Sequence, residues 1–85
     1  MIKNRFSELL AIHERKTRRK WTYEDIARAT GLSTSTLSAY AQNRVRRFDA
    51  GTVEALVGFF GCDVGDLLII EENGRVGQLV GAGAP

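Results

Sequence analysis

The segment WTYEDIARATGLSTSTLSAYAQNRVRR, Trp21 to Arg47, constrains the fold more than any other part of the chain. Its centre is a spacing: Ala27, Gly31 four residues on, Leu32 next, and Leu37 five residues beyond that. Two short helices crossing at one tight turn satisfy it. A small residue at 27 lets the helices approach, Gly31 supplies the positive φ of the turn, and Leu37 anchors the second helix on the first. Local chemistry sets the ends. Thr22 is placed as an N-cap whose hydroxyl accepts from the backbone N–H of Glu24 or Asp25, and both acids lie in the electropositive first turn. Trp21 before it suits a hydrophobic staple on Ile26. The first of the two helices then runs from Tyr23 to about Thr30, with Ile26 and Ala27 inward. Ser33 caps the second, Thr34 to about Gln42, with Leu37 and Tyr40 or Ala41 inward, and Asn43 can end it in the left-handed region.

The flanking sequence supplies a core for this helix-turn-helix. Ile2, Phe6, Leu9, Leu10 and His13 make the apolar stripe of an N-terminal helix reaching about Lys16. Asp49 is a plausible cap for a helix from Ala50 to about Phe60, in which Val53, Leu56, Val57 and Phe60 recur at helical spacing and Gly61 follows. Asp63 opens a short fifth helix, Val64 to about Leu68. Residues 1–68 thus form one helical domain, and 69–85 a tail. In that tail Asn73-Gly74 predicts a hairpin over 69–80, with Glu72 opposite Arg75, Ile70 opposite Gly77 and Ile69 opposite Gln78. Neither face of it is uniformly apolar, so the helical body or a second subunit must hold it. A homodimer through the tail is one expectation. Residues 81–85 are expected to be disordered.

Charge divides the 85 residues unevenly. From Met1 to Arg47, eleven Lys and Arg face four acids; from Phe48 to Pro85, Arg75 alone faces six. Arg15, Lys16, Arg18, Arg19 and Lys20 form one basic cluster and Arg44, Arg46 and Arg47 another, which suits a phosphate-facing half and an acidic half turned away. The single cysteine, Cys62, excludes an internal disulfide and a Cys-rich zinc site, and fits a small apolar residue in a reducing, cytoplasmic setting. No apolar run reaches the length of a membrane span, and the first residues lack the apolar segment of a secretory signal. His13 is the one histidine, on a helix stripe, and no nucleophile and base, phosphate loop or metal-ligand spacing accompanies it. Neither catalysis, a cofactor, a metal nor a small-molecule substrate is expected.

From Arg5 to Leu68 the chain resembles the Cro/C1-type, phage-repressor-like helix-turn-helix regulators. Thr22, Glu24, Ile26-Ala27, Gly31-Leu32-Ser33, Ser35-Thr36-Leu37-Ser38 and Tyr40 fall where that family has its Thr, Glu, Leu-Ala, Gly-Val-Ser and Ser-Thr-Ile-Ser signature. VEALVGFFGCDVGDLL resembles its closing helices. Tyr23, Ala41 and Asn43 depart from its usual Gln, Glu and Gly. The resemblance implies an all-α, compact five-helix, repressor-like domain, here with a C-terminal extended tail or β-hairpin. It also implies sequence-specific binding of double-stranded DNA by a bacterial or phage-encoded transcriptional regulator, with helix 34–42 in the major groove. Thr34, Ser35, Thr36, Ser38 and Ala39 then become the base-contacting candidates. Thr22, Tyr23, Ser33, Gln42, Asn43, Arg44, Arg46 and Arg47 become the backbone-contacting ones. The competing reading is a protein-interaction module, such as an antitoxin or an adaptor in a larger assembly.

Overall fold

The structure, a computed structural model, describes residues 1–72 and 75–78. Its elements are β1 (Ile2–Asn4), α1 (Phe6–Thr17), α2 (Tyr23–Thr30), α3 (Thr34–Ala41), α4 (Ala50–Phe60), α5 (Val64–Leu67), β2 (Leu68–Glu72) and β3 (Arg75–Gln78). Five helices in the expected order carry the fold. It is not strictly all-α, because β1, β2 and β3 form an antiparallel sheet in that order.

The sheet corrects the reading of the N-terminus. Ile2 lies four residues before Phe6 and so fits a helical stripe, but it sits in a strand opposite Ile70. Asn4 explains why the helix starts later: its Oδ1 accepts the Phe6 backbone N–H at 2.9 Å and satisfies one of the orphan donors of α1. The Arg5 N–H meanwhile donates to the Leu67 carbonyl at 2.8 Å, which fastens the strand-to-helix junction to the far end of the chain. The β2–β3 register pairs Glu72 with Arg75, Ile70 with Gly77 and Ile69 with Gln78, as the sequence predicts. The Asn73-Gly74 turn and the expected disorder at 81–85 lie outside the described residues. Within the chain, β1 supplies the support that a lone hairpin lacks.

Every helix gives a residue to one core: Phe6, Ile26, Leu37, Tyr40, Val53, Leu56 and Leu67 are buried, as is Leu68 at the start of β2. His13 is half-buried, its ring 4.6 Å from Phe59 and 5.2 Å from Trp21 between centroids, so it packs in an aromatic cluster. The Trp21 indole also donates to Thr17 Oγ1 at 2.9 Å, and Glu14 accepts the Trp21 backbone N–H at 2.9 Å. These bonds pin the α1–α2 loop. Cys62 is a half-buried free thiol, and burial together with Asp66 and Asp63 pushes its pKa up, away from a reactive thiolate. No helix among the described residues is long and apolar enough to cross a membrane.

Tyr40 carries one defect. Its ring is buried edge-on to Phe48 at 6.0 Å, yet its hydroxyl has no hydrogen-bond partner among the described residues. An unsatisfied buried hydroxyl costs roughly 1–3 kcal/mol. Tyr40→Phe is therefore expected to stabilise the fold by about 1 kcal/mol, raising Tm by about 4–8 °C for a domain of this size. A lowered Tm on thermal melting would show that the hydroxyl is bonded in solution.

Candidate nucleic-acid interface

The geometry of α2 and α3 follows from their caps. Thr22 Oγ1 accepts the Asp25 N–H at 3.1 Å and Asp25 Oδ2 accepts the Thr22 N–H at 3.1 Å, a reciprocal capping box. Asp25 also pairs with Arg28 at 2.9 Å and with Arg19 at 3.3 Å. Gly31 ends α2 at φ 79°, with its N–H on the Ala27 carbonyl at 2.8 Å. A Cβ there would meet nothing within 4 Å, so the turn selects glycine for its backbone angle and not for space. Ser33 Oγ accepts the Thr36 N–H at 3.1 Å and donates to Thr36 Oγ1 at 2.9 Å, starting α3.

These caps place the candidate base-reading residues unequally. Leu37 and Tyr40 point into the core, which turns the opposite side of α3 outward. Thr34 and Ser35 are exposed, while Thr36, Ser38 and Ala39 are half-buried. The Thr36 hydroxyl is engaged by Ser33, and Ser38 Oγ receives Gln42 Nε2 at 3.0 Å. The free hydroxyls therefore concentrate at the N-terminal turn of α3. Of the backbone-contacting candidates, Thr22, Tyr23, Ser33 and Gln42 are exposed at the ends of α2 and α3.

Beyond α3 the chain alternates between charge and anchor. Arg44, Arg46 and Arg47 are exposed, and Val45 and Phe48 between and after them pack on the core. None of the three arginines forms an ion pair among the described residues. The earlier basic cluster is partly committed: Arg19 lies 3.8 Å over the Trp21 ring and also meets Asp25, and Lys20 is 3.9 Å from Glu14. Arg15, Lys16 and Arg18 have no carboxylate within ion-pair distance among the described residues. A fixed loop bearing three uncommitted guanidiniums can take phosphate oxygens with little prior ion pairing to break.

Asn43, at φ 54°, is held differently from its neighbours. Its carboxamide bonds the Asn4 backbone and side chain at 2.8–3.2 Å, a contact that sequence reading missed. Asn4 stands two residues ahead of Phe6, outside the N-cap place that Arg5 fills, so its one local signal was a polar residue near a helix start, and nothing pointed to its partner.

The caps also set an acid limit. The Thr22 backbone N–H, followed by the Thr22 hydroxyl, Arg28 and Arg19, lowers the pKa of Asp25; the Thr52 N–H and hydroxyl do the same for Asp49. A depressed folded-state pKa adds stability that is present above the unfolded value of about 3.9 and is lost as pH falls through the depressed values. Tm is expected to drop in that acid window, and less steeply in Asp49→Asn, when melting is followed from pH 6 to 2.

A family model, the Cro/C1-type HTH DNA-binding domain, matches residues 5–73, which takes in α1 through α5 and all of β2. No curated protein and no solved structure matches the chain.

Proposed function

Because the chain belongs to the Cro/C1-type HTH DNA-binding domain family, we propose that it is a repressor-like transcriptional regulator that reads duplex DNA with α3 in the major groove. One observation carries the reading: a short helix with exposed Thr34 and Ser35 at its start, followed past its end by three exposed arginines without carboxylate partners among the described residues. In this reading the 1–68 body carries the DNA face. Thr34 and Ser35 meet base edges first, with Thr36, Ser38 and Ala39 behind them. Hydroxyls and a thymine-facing methyl group discriminate less sharply than a bidentate Arg, Asn or Gln. Thr22, Tyr23, Ser33, Gln42 and the arginines orient the domain on phosphates and sugars, with Asn43, whose carboxamide is taken up by Asn4, behind them. The tail joins two copies, so that paired recognition helices meet successive turns of the groove.

Selection from random duplex DNA tests this. Enriched sites that are palindromic, and that change when Ser35 is replaced by Ala, support both the reading helix and the dimer. Failure to enrich any sequence at low salt overturns it in favour of a protein-interaction module. That second reading has its own observation, since Met1 (77% exposed) and Ile2 (42%) leave apolar surface on the edge strand of the sheet.

A further inference from the structure

A residue that only had to end α3 at positive φ would need no side chain, and glycine would hold φ 54° at less cost than asparagine. Asn43 uses its side chain fully. Oδ1 accepts the Asn4 backbone N–H at 2.8 Å and Asn4 Nδ2 at 3.1 Å, while its own Nδ2 donates to the Asn4 carbonyl at 3.2 Å. Asn4 can offer these groups because of its register. On either side, Met1 bonds to Glu71 of β2 and Arg5 to Leu67 at the end of α5, and in this alternating antiparallel register the N–H and C=O of Asn4 are left on the outer edge of β1. The Asn43 amide fills the place that a peptide of a further strand would take. Asn4 itself is 5% exposed, and its Oδ1 holds the Phe6 N–H. One buried asparagine therefore ties the start of α1, the edge of the sheet and the end of α3 together.

We propose that Asn4 and Asn43 are positioning residues for DNA binding: the pair fixes the end of α3 and the departure of the arginine loop against β1, so that Arg44 and Arg46 are presented to phosphates in one arrangement. Ile2 and Lys3 of β1 line a single groove with Asn43, Arg44, Val45 and Arg46, which places the loop directly beside the strand it is tied to. The inference rests on the DNA-binding reading above. Its physical basis is preorganisation. Long cationic side chains on a loose loop must be ordered at the moment of binding, whereas a clamped loop has already lost that freedom when the duplex arrives.

The test uses the full chain and the duplex selected by the wild type, at a temperature where melting shows each variant folded. Asn43→Gly keeps the left-handed backbone and removes the amide. It is expected to bind about tenfold more weakly, with a plot of log affinity against log salt shallower by about 1 to 2, as phosphate contacts are lost. Arg44→Ala should then flatten the slope less in the Asn43→Gly background than in the wild type. A purely structural role would lower Tm and leave the slope unchanged, and that result overturns the proposal. Should Asn43→Gly not fold, Asn43→Ser carries the same measurement, because one short hydroxyl cannot hold both the N–H and the C=O of Asn4; an unchanged slope there is equally decisive. A wild-type chain that binds no duplex overturns the DNA-binding reading itself and this inference with it.

Discussion

With Arg44, Arg46 and Arg47 all replaced by Ala, the slope of log affinity against log salt is expected to flatten by about 3, since each neutralised phosphate contributes about 0.9. Over a fourfold rise in salt, the wild type should then lose roughly 40 times more affinity than the variant does. The effect is large because all three guanidiniums are exposed and uncommitted to carboxylates among the described residues, so their charge is available to the polyanion. For the same reason the fold should hardly notice. Exposed substitutions away from packing and caps change stability by about 0.5 kcal/mol or less. Arg19→Ala is the contrasting case, because Arg19 stacks on Trp21 and pairs with Asp25, so its loss falls on the α1–α2 loop. Titrations at several salt concentrations decide the matter, and an unchanged slope for the triple variant would remove the arginine loop from the interface.

How far the sequence foretold this arrangement depends on how local the governing chemistry is. Thr22, Ser33 and Asp49 cap helices by reaching three residues ahead, and Gly31, Gly61 and Asn43 end them through their own φ, so each was legible where it stands. The β2–β3 register was legible too, because a two-residue turn dictates its pairs. β1 was not. Three residues give no period, Ile2 happens to fit a helical stripe, and its partner Ile70 is remote in sequence. The site divides along the same line. The exposure of Thr34 and Ser35 follows from the core face of α3, which a pattern reveals; the Val45 and Phe48 anchors that turn the arginines outward came with the structure. The Ser38–Gln42 and Ser33–Thr36 bonds need rotamers, and the Asn4–Asn43 bonds need the missing strand as well.

Phe6→Ala should have the largest effect on stability. Phe6 is 0% exposed and sits where β1 becomes α1, its ring 5.6 Å from Phe60 and 6.5 Å from Tyr23 between centroids. Truncating a buried phenylalanine costs about 3–5 kcal/mol, because the lost contacts leave a cavity that rigid neighbours fill only in part. A domain of this length has a total stability of only about 4–13 kcal/mol, so the variant is left marginal and Tm should fall by about 15 °C or more. Phe6→Leu, which keeps most of the volume, should cost far less, about 1–2 kcal/mol. The DNA face is affected as well, since Tyr23 opens α2 against this ring. Binding couples to folding by mass action: duplex at 100 times its dissociation constant adds about 2.7 kcal/mol to the folded state. Melting Phe6→Ala with and without the selected duplex should therefore recover part of the lost Tm. A Tm within a few degrees of wild type in the absence of DNA would refute the central place given to Phe6. A loss recovered equally well by unrelated duplex would show that the coupling is electrostatic and carries no sequence preference.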